Sequence, residues 1–124
     1  MGIHIDDLPV ELHAGDLVTR YAEFGEMAIR HATCPPGTDM SPVLQGLPGD
    51  RCGSPHWGVV LDGSILMTHE DGSHELAEAG QVYFWPAGHT GVTENGVVFI
   101  EVGPTGPMRE FGVNARRVLG NAGG

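Results

Sequence analysis

Apolar runs in this chain are short, rich in valine, isoleucine and aromatic residues, and cut off by glycine, proline, asparagine or aspartate. Between His56 and Glu101 the pattern is clearest. His56–Leu61 is apolar and β-branched, and Asp62-Gly63 then reads as a tight turn. Ser64–His69 follows, then the turn Glu70–Ser73 and a short run His74–Glu78 closed by Gly80. Gln81–Trp85 stops at Pro86, His89–Glu94 stops at Asn95-Gly96, and Val97–Val102 stops at Gly103-Pro104. Asn-Gly between two β-type runs is a hairpin signal, since both turn positions of a type I′ turn need positive φ. Turns every 8–12 residues or so predict many short antiparallel strands, hence an all-β sandwich or barrel. Before this segment, Gly15–Phe24 and Glu26–Ala32 predict two strands around Gly25. The proline-rich stretch from Cys34 to Asp50 reads as a long loop with one short strand at Met40–Leu44. A short helix is expected over Met108–Leu119 and a frayed tail at the C-terminus, over 120–124.

At 124 residues the chain is one domain's worth, with no linker and no internal repeat, so 1–124 is expected as a single domain. Its 20 glycines and 9 prolines are turn punctuation, because they separate apolar runs instead of clustering. The net charge of −10 repels phosphate backbones and anionic lipid, which argues against nucleic-acid and membrane partners. All basic residues are arginine, so a lysine Schiff base is excluded. There is no phosphate loop, dinucleotide fingerprint or nucleophile elbow. Met1–Asp7 carries acids where a secretory signal needs a basic start, and two cysteines make no disulfide scaffold. The expected location is the cytoplasm.

Four residues carry the chemistry. Asp50, Cys52 and His56 share strand parity, so all three can face one interior. His89 opens a new strand after Pro86-Ala87-Gly88, and in an antiparallel fold that strand can pass beside His56. One carboxylate, one thiolate and two imidazoles form a candidate metal site. Thiolate with imidazole suits zinc, iron or copper better than magnesium or calcium, which prefer oxygen. Other groups read as structural. Cys34 precedes a turn, His69 and His74 flank a hairpin, and His4, His13 and His31 lack ligand spacing. Glu94 and Glu101 are expected at outward or rim positions, although an inward Glu101 would be a candidate general base. Consecutive Tyr83, Phe84 and Trp85 must face opposite sides of a sheet, so one face exposes aromatics unless a second subunit covers it.

The segment Gly49–Glu101 resembles the cupin superfamily. That family's first motif is histidine, any residue, histidine, three or four residues, glutamate, six residues, glycine. With Gly63 as the closing glycine, His56 stands at the glutamate position, Cys52 at the second histidine and Asp50 at the first. In the second motif Gly80, Pro86, Gly88 and Asn95 match. Gly91 stands where the usual histidine would be, with His89 two residues earlier. The chain is thus similar to small single-domain bacterial cupins, with Cys and His replacing the usual ligands. The resemblance implies a jelly-roll of two antiparallel sheets around a pocket, its mouth framed by the Cys34–Asp50 loop. It also implies a homodimer that packs or exchanges N-terminal strands. The expected function is that of a metal-dependent enzyme on a small organic molecule, by oxidation, isomerisation or lyase chemistry. The alternatives are a non-catalytic binding or sensor module and a purely structural metal.

Overall fold

The computed structural model describes residues 2–123, with side chains as far as Leu119. Eight strands and two helices follow in chain order: β1 Val10–Ala14, β2 Leu17–Phe24, β3 Met27–Cys34, α1 Ser41–Leu44, β4 His56–Thr68, β5 His74–Glu78, β6 Val82–Trp85, β7 Thr90–Val92, β8 Val97–Pro104 and α2 Thr105–Gly123. All strand pairs are antiparallel, and two sheets share the long strand β4. The first sheet runs β1-β2-β3-β8-β4, with β6 on the far side of the N-terminal half of β4. In the second, the C-terminal half of β4 lies between β5 and β7. The expected double-sheet jelly roll is therefore present, but its hydrogen-bond ladder does not close into a ring.

Strand β4 corrects the reading of Asp62-Gly63 as a turn. Val60 pairs with Phe99 and Asp62 with Val98, so Leu61 is an extra residue, a bulge inside one continuous strand. Gly63 has φ 74°, and a Cβ there would overlap the Gly96 carbonyl. The bulge shifts side-chain parity by one. His56 and Val60 point inward before it, and Ile65 and Met67 point inward after it. One strand thereby lines the interior of both sheets.

Asn95-Gly96 is likewise not a hairpin turn. β7 pairs with β4 in one sheet, while β8 pairs with β3 and β4 in the other, so the Asn-Gly turn carries the chain between sheets. The strand expected at Met40–Leu44 is instead helix α1. Asp39 Oδ1 accepts from the Ser41 amide at 2.8 Å, and Pro42 sits in the first turn, where its missing N–H costs nothing. Strand β1 lies outside the expected elements, since Val10–Ala14 mixes charge and histidine with its apolar residues. The C-terminal helix starts earlier than expected, at Thr105, while the tail expected over 120–124 lies outside the residues described with side chains.

Inside the first sheet a row of facing residues runs across the strands: Tyr83 opposite Gly58, Gly58 opposite Glu101, Glu101 opposite Arg30, Arg30 opposite Tyr21. Gly58 is required there. A Cβ would stand 2.6 Å from the Tyr83 hydroxyl, which passes over Gly58 to donate to Glu101 Oε1 at 2.8 Å. Arg30 is 2% exposed. It donates from Nε and Nη2 to the two carboxylate oxygens of Glu11 on β1, both at 2.8 Å, and from Nη2 to the Met108 carbonyl on α2 at 2.8 Å. Its guanidinium lies over the Tyr21 and Phe111 rings, 5.0 and 4.7 Å from their centroids. Burial opposes this charge, but the hydrogen bonds to Glu11 and the charges of Glu11 and Glu101 outweigh it and hold Arg30 above its ordinary range. Helix α2 comes so close at Gly112 that a Cβ would overlap the Glu11 carboxylate.

Removing one member of such a pair leaves an unmatched buried charge. Glu11→Ala is expected to cost about 3–5 kcal/mol, read as a fall in the urea midpoint. Replacing both partners with apolar residues (Glu11→Leu with Arg30→Met) is expected to recover most of that loss. A loss under about 1 kcal/mol in the single variant would show that the pair is not structural.

Candidate metal centre

Cys52, His56 and His89 converge from three segments and are all buried. His56 begins β4 and pairs with Trp85 at the end of β6. The chain then turns through Pro86–Gly88, with Gly88 at φ 94°, and returns as His89. Cys52 is fastened beside it by its backbone. The Cys52 amide donates to the His89 carbonyl at 3.0 Å, and the Gly88 amide donates to the Cys52 carbonyl at 2.7 Å. Cys52 Sγ is 3.3 Å from His56 Nε2, and one ligand atom from each of the three residues lies within 4.8 Å of the others. The two imidazole centroids are 4.9 Å apart.

Each ring is oriented from behind. His89 Nδ1 donates to the Pro86 carbonyl at 2.8 Å, which leaves the Nε2 lone pair free. His56 Nδ1 stands 3.4 Å from Glu101 Oε2 without hydrogen-bond alignment, and its Nε2 faces the thiol. Glu101 is not at the rim. It is 4% exposed and faces inward between Tyr83 and Arg30, whose Nη1 is 3.8 Å away. Burial pushes its carboxyl above the usual range, against the pull of Arg30 and Tyr83. Burial also pushes the Cys52 thiol up to about 11 and lowers His56 to about 3, with Arg30 adding to the latter. Burial and the neighbouring His56 lower His89 to about 4. These directions exclude a thiolate–imidazolium nucleophile, which needs the opposite shifts. Without a metal, burial favours the neutral form of all three groups.

That donor set fits a thiophilic divalent ion. The sulfur–nitrogen distance is that of two ligands on one tetrahedral ion, for which bonds near 2.3 and 2.0 Å put the donors roughly 3.5 Å apart. His89 presents a free Nε2, His56 turns its Nε2 to the thiol, and both opposite nitrogens face oxygen. A cavity of about 50 Å³ adjoins the three side chains, walled largely by apolar residues such as Ile65, Met67, Trp85 and Phe99. Met40 and Leu44, from the expected mouth loop and its helix α1, also line it.

No family model and no curated protein matches the chain. Solved structures do. A protein of unknown function from Rhizobium leguminosarum bv. viciae is 20% identical over 83% of this chain and 94% of that one, with a TM-score of 0.63. The polyketide cyclase RemF from Streptomyces resistomycificus is 18% identical over 84% and 78%, with a TM-score of 0.62. An RmlC-like cupin from Shewanella frigidimarina is 17% identical over 80% and 85%, with a TM-score of 0.57. The chain has the cupin fold.

At the usual second-motif histidine position, Gly91 packs tightly against side chains of β4. A Cβ on Gly91 would stand 2.6 Å from Met67 Sδ and 3.1 Å from Ile65 Cδ1. His89 supplies an imidazole from the preceding turn instead. Asp50 is not brought to the cluster. It is exposed, at φ 55°, and its Oδ1 accepts from the Gly46 amide at 3.0 Å. The roles of Arg30 and Glu11 behind Glu101 were not foreseen. A buried arginine has no local signature, and the only hint was parity, which puts Arg30 on the same face of β3 as Ala28 and Ala32.

In the metal-free protein, burial keeps both histidines neutral at pH values where the unfolded chain protonates them. Their contribution to stability is full above the ordinary histidine value of 6.5 and is lost as pH falls toward about 4. Glu101, raised by burial, works the other way and offsets part of the loss. Chelator-treated protein is therefore expected to lose urea resistance between about pH 7 and about pH 5. The slope is at most about 1.4 kcal/mol per pH unit for each histidine. His89→Gln is expected to flatten it, and a profile unchanged by that substitution would contradict neutral burial of His89.

Proposed function

We propose that Cys52, His56 and His89 hold one divalent transition metal (zinc, iron or copper) and that the protein is a metal-dependent enzyme acting on a small organic molecule. The observation that carries this is the convergence of three soft donors, with both imidazoles presenting Nε2, at the wall of a cavity. Asp50 serves the loop through Gly46, so three protein ligands leave a coordination position free for a substrate atom. An open position favours a catalytic centre over a structural one. When bound, the metal would act as a Lewis acid or redox centre toward an oxygen of the substrate, in oxidation, isomerisation or lyase chemistry.

The protein's own residues do the rest. The Pro86 carbonyl fixes the tautomer of His89, and Glu101 backs His56. Glu101, with the Tyr83 hydroxyl on its other oxygen, is a buried carboxyl behind the site whose hold on a proton is raised by burial and opposed by Arg30 and Tyr83. Ile65, Met67 and Phe99 give the cavity an apolar wall. The apolar lining also supports a second reading, a binding or sensor module that holds a small ligand without turning it over.

The aromatic outer face supports a homodimer. Trp57 lies opposite both Phe84 and Val102, and Val59 lies opposite Val82 and Ile100, so two apolar rows cross the outside of the first sheet. Val82 is 83% exposed, and Trp57 and Phe84 pack 5.1 Å apart. A patch this continuous suits a self-complementary contact with a second copy. Both cysteines are free, in keeping with a reducing cytoplasm, and among the described residues no helix is long and apolar enough to cross a membrane.

Protein purified without chelator is expected to carry about one transition metal per chain by elemental analysis, and Cys52→Ala to lose most of it. Chelation should lower the melting temperature by roughly 10 °C. Absence of stoichiometric metal sinks the reading. Light scattering is expected to give a dimer, which Trp57→Asp converts to a monomer. A wild-type monomer would remove the assigned role of the outer face.

A further inference from the structure

Four buried side-chain polar atoms among the described residues lack a hydrogen-bond partner: His56 Nδ1, His69 Nδ1, Trp85 Nε1 and Thr90 Oγ1. Three of the four belong to residues that line the one cavity beside Cys52, His56 and His89. Buried polar groups are nearly always paired, so their concentration at one wall calls for an explanation. His56 Nδ1 has Glu101 beside it. Trp85 and Thr90 have nothing of the kind. Trp85 is 1% exposed, and its indole nitrogen is a donor only. Its ring lies 5.7 Å from that of His89 and its backbone pairs with His56, while Thr90 follows His89 directly. Both unpaired groups therefore flank the histidines.

From these donors and the size of the cavity, and resting on the metal reading above, we infer that the ligand is a short-chain monocarboxylate of the formate or acetate class. The site makes two demands on it. The free coordination position takes one oxygen. The Trp85 indole N–H and the Thr90 hydroxyl need an acceptor of their own. A carboxylate carries two acceptor oxygens on one carbon and meets both demands at once. The cavity volume of about 50 Å³ leaves space for little more than that group and one or two carbons. The short tail would lie against Ile65, Met67 and Phe99, which offer no polar partner. A sugar or nucleotide exceeds this volume. Trp85 and Thr90 are thus specificity-determining residues, placed by the same turn that delivers His89.

The chain has two tryptophans, so ¹⁵N-labelled protein gives two indole signals, and Trp57→Phe, at an exposed site, identifies that of Trp85. Zinc-loaded protein is titrated with sodium acetate against sodium chloride at equal ionic strength. The expected result is a saturable shift of the Trp85 indole proton with acetate alone, and none with hexanoate. Thr90→Val, which keeps the shape, should weaken acetate binding by about tenfold at unchanged zinc content. Wild-type protein that holds one zinc per chain yet shows no shift at tens of millimolar acetate overturns the inference, since the two donors are then served by water. An equal response to hexanoate overturns the size limit. Failure to take up zinc is seen separately in the elemental analysis, and it removes the metal reading together with the inference that rests on it.

Discussion

A guanidinium buried in a β interior has to be matched, and the match for Arg30 comes from every part of this chain. Glu11 on β1 takes two of its hydrogen bonds, the Met108 carbonyl on α2 takes a third, and Tyr21 and Phe111 cover its faces. An unpaired charge at this depth would cost several kcal/mol, more than most single contacts contribute. The first strand and the last helix are therefore bound to the sheet by the same residue. Small residues make the geometry feasible. Gly112 lets α2 reach Glu11, and Gly58 lets Tyr83 cross the sheet to Glu101. Neither glycine is a turn, so neither carries a local sign of its purpose.

That distinction accounts for what could be read from the sequence. Alternation and turn residues report local geometry, and they located the strands of the His56–Glu101 segment, the β4–β5 turn and the histidine after Pro86. They also suggested that Cys52 and His56 share a face. They misplaced features whose meaning depends on long-range pairing. Asp62-Gly63 has turn chemistry, but the partner strand β8 continues past it, so the extra residue becomes a bulge. Asn95-Gly96 has hairpin chemistry, but its two flanking strands belong to different sheets. Asp50 has the right parity on an extended strand, yet the 3-10 turn Pro48–Asp50 and its positive φ end the strand logic before it reaches Cys52. Glu101 is expected at an outward or rim position, and its inward placement depends on a partner that sequence proximity does not reveal. Arg30, opposite it across the β3–β8 ladder, is more than seventy positions away along the chain.

The buried charges and the candidate metal centre are parts of one arrangement. Glu101 is reached by Tyr83 and Arg30 on one side and faces His56 on the other. Any change in Arg30 or Glu11 thus alters the electrostatic setting of a ligand ring without touching it. In such a low-dielectric interior these interactions are felt more strongly than they would be at a surface. The metal-free state is neutral at Cys52, His56 and His89 because burial disfavours charge at each. A divalent ion reverses that logic at the thiol, since the cation stabilises the thiolate that burial alone opposes.

The glycine at position 91 belongs to the same packing. β7 is only three residues long, and Gly91 lies directly against Met67 and Ile65, the inward residues of β4 beyond its bulge. A side chain there would require the ends of Met67 and Ile65 to move aside. The imidazole of His89 lies in the turn after Pro86, where the Pro86 carbonyl fixes it and Cys52 pairs with its backbone. Cys52 and His89 are thereby coupled through their backbones: Cys52 is the residue that the His89 turn holds in place, so a change at either position moves the other.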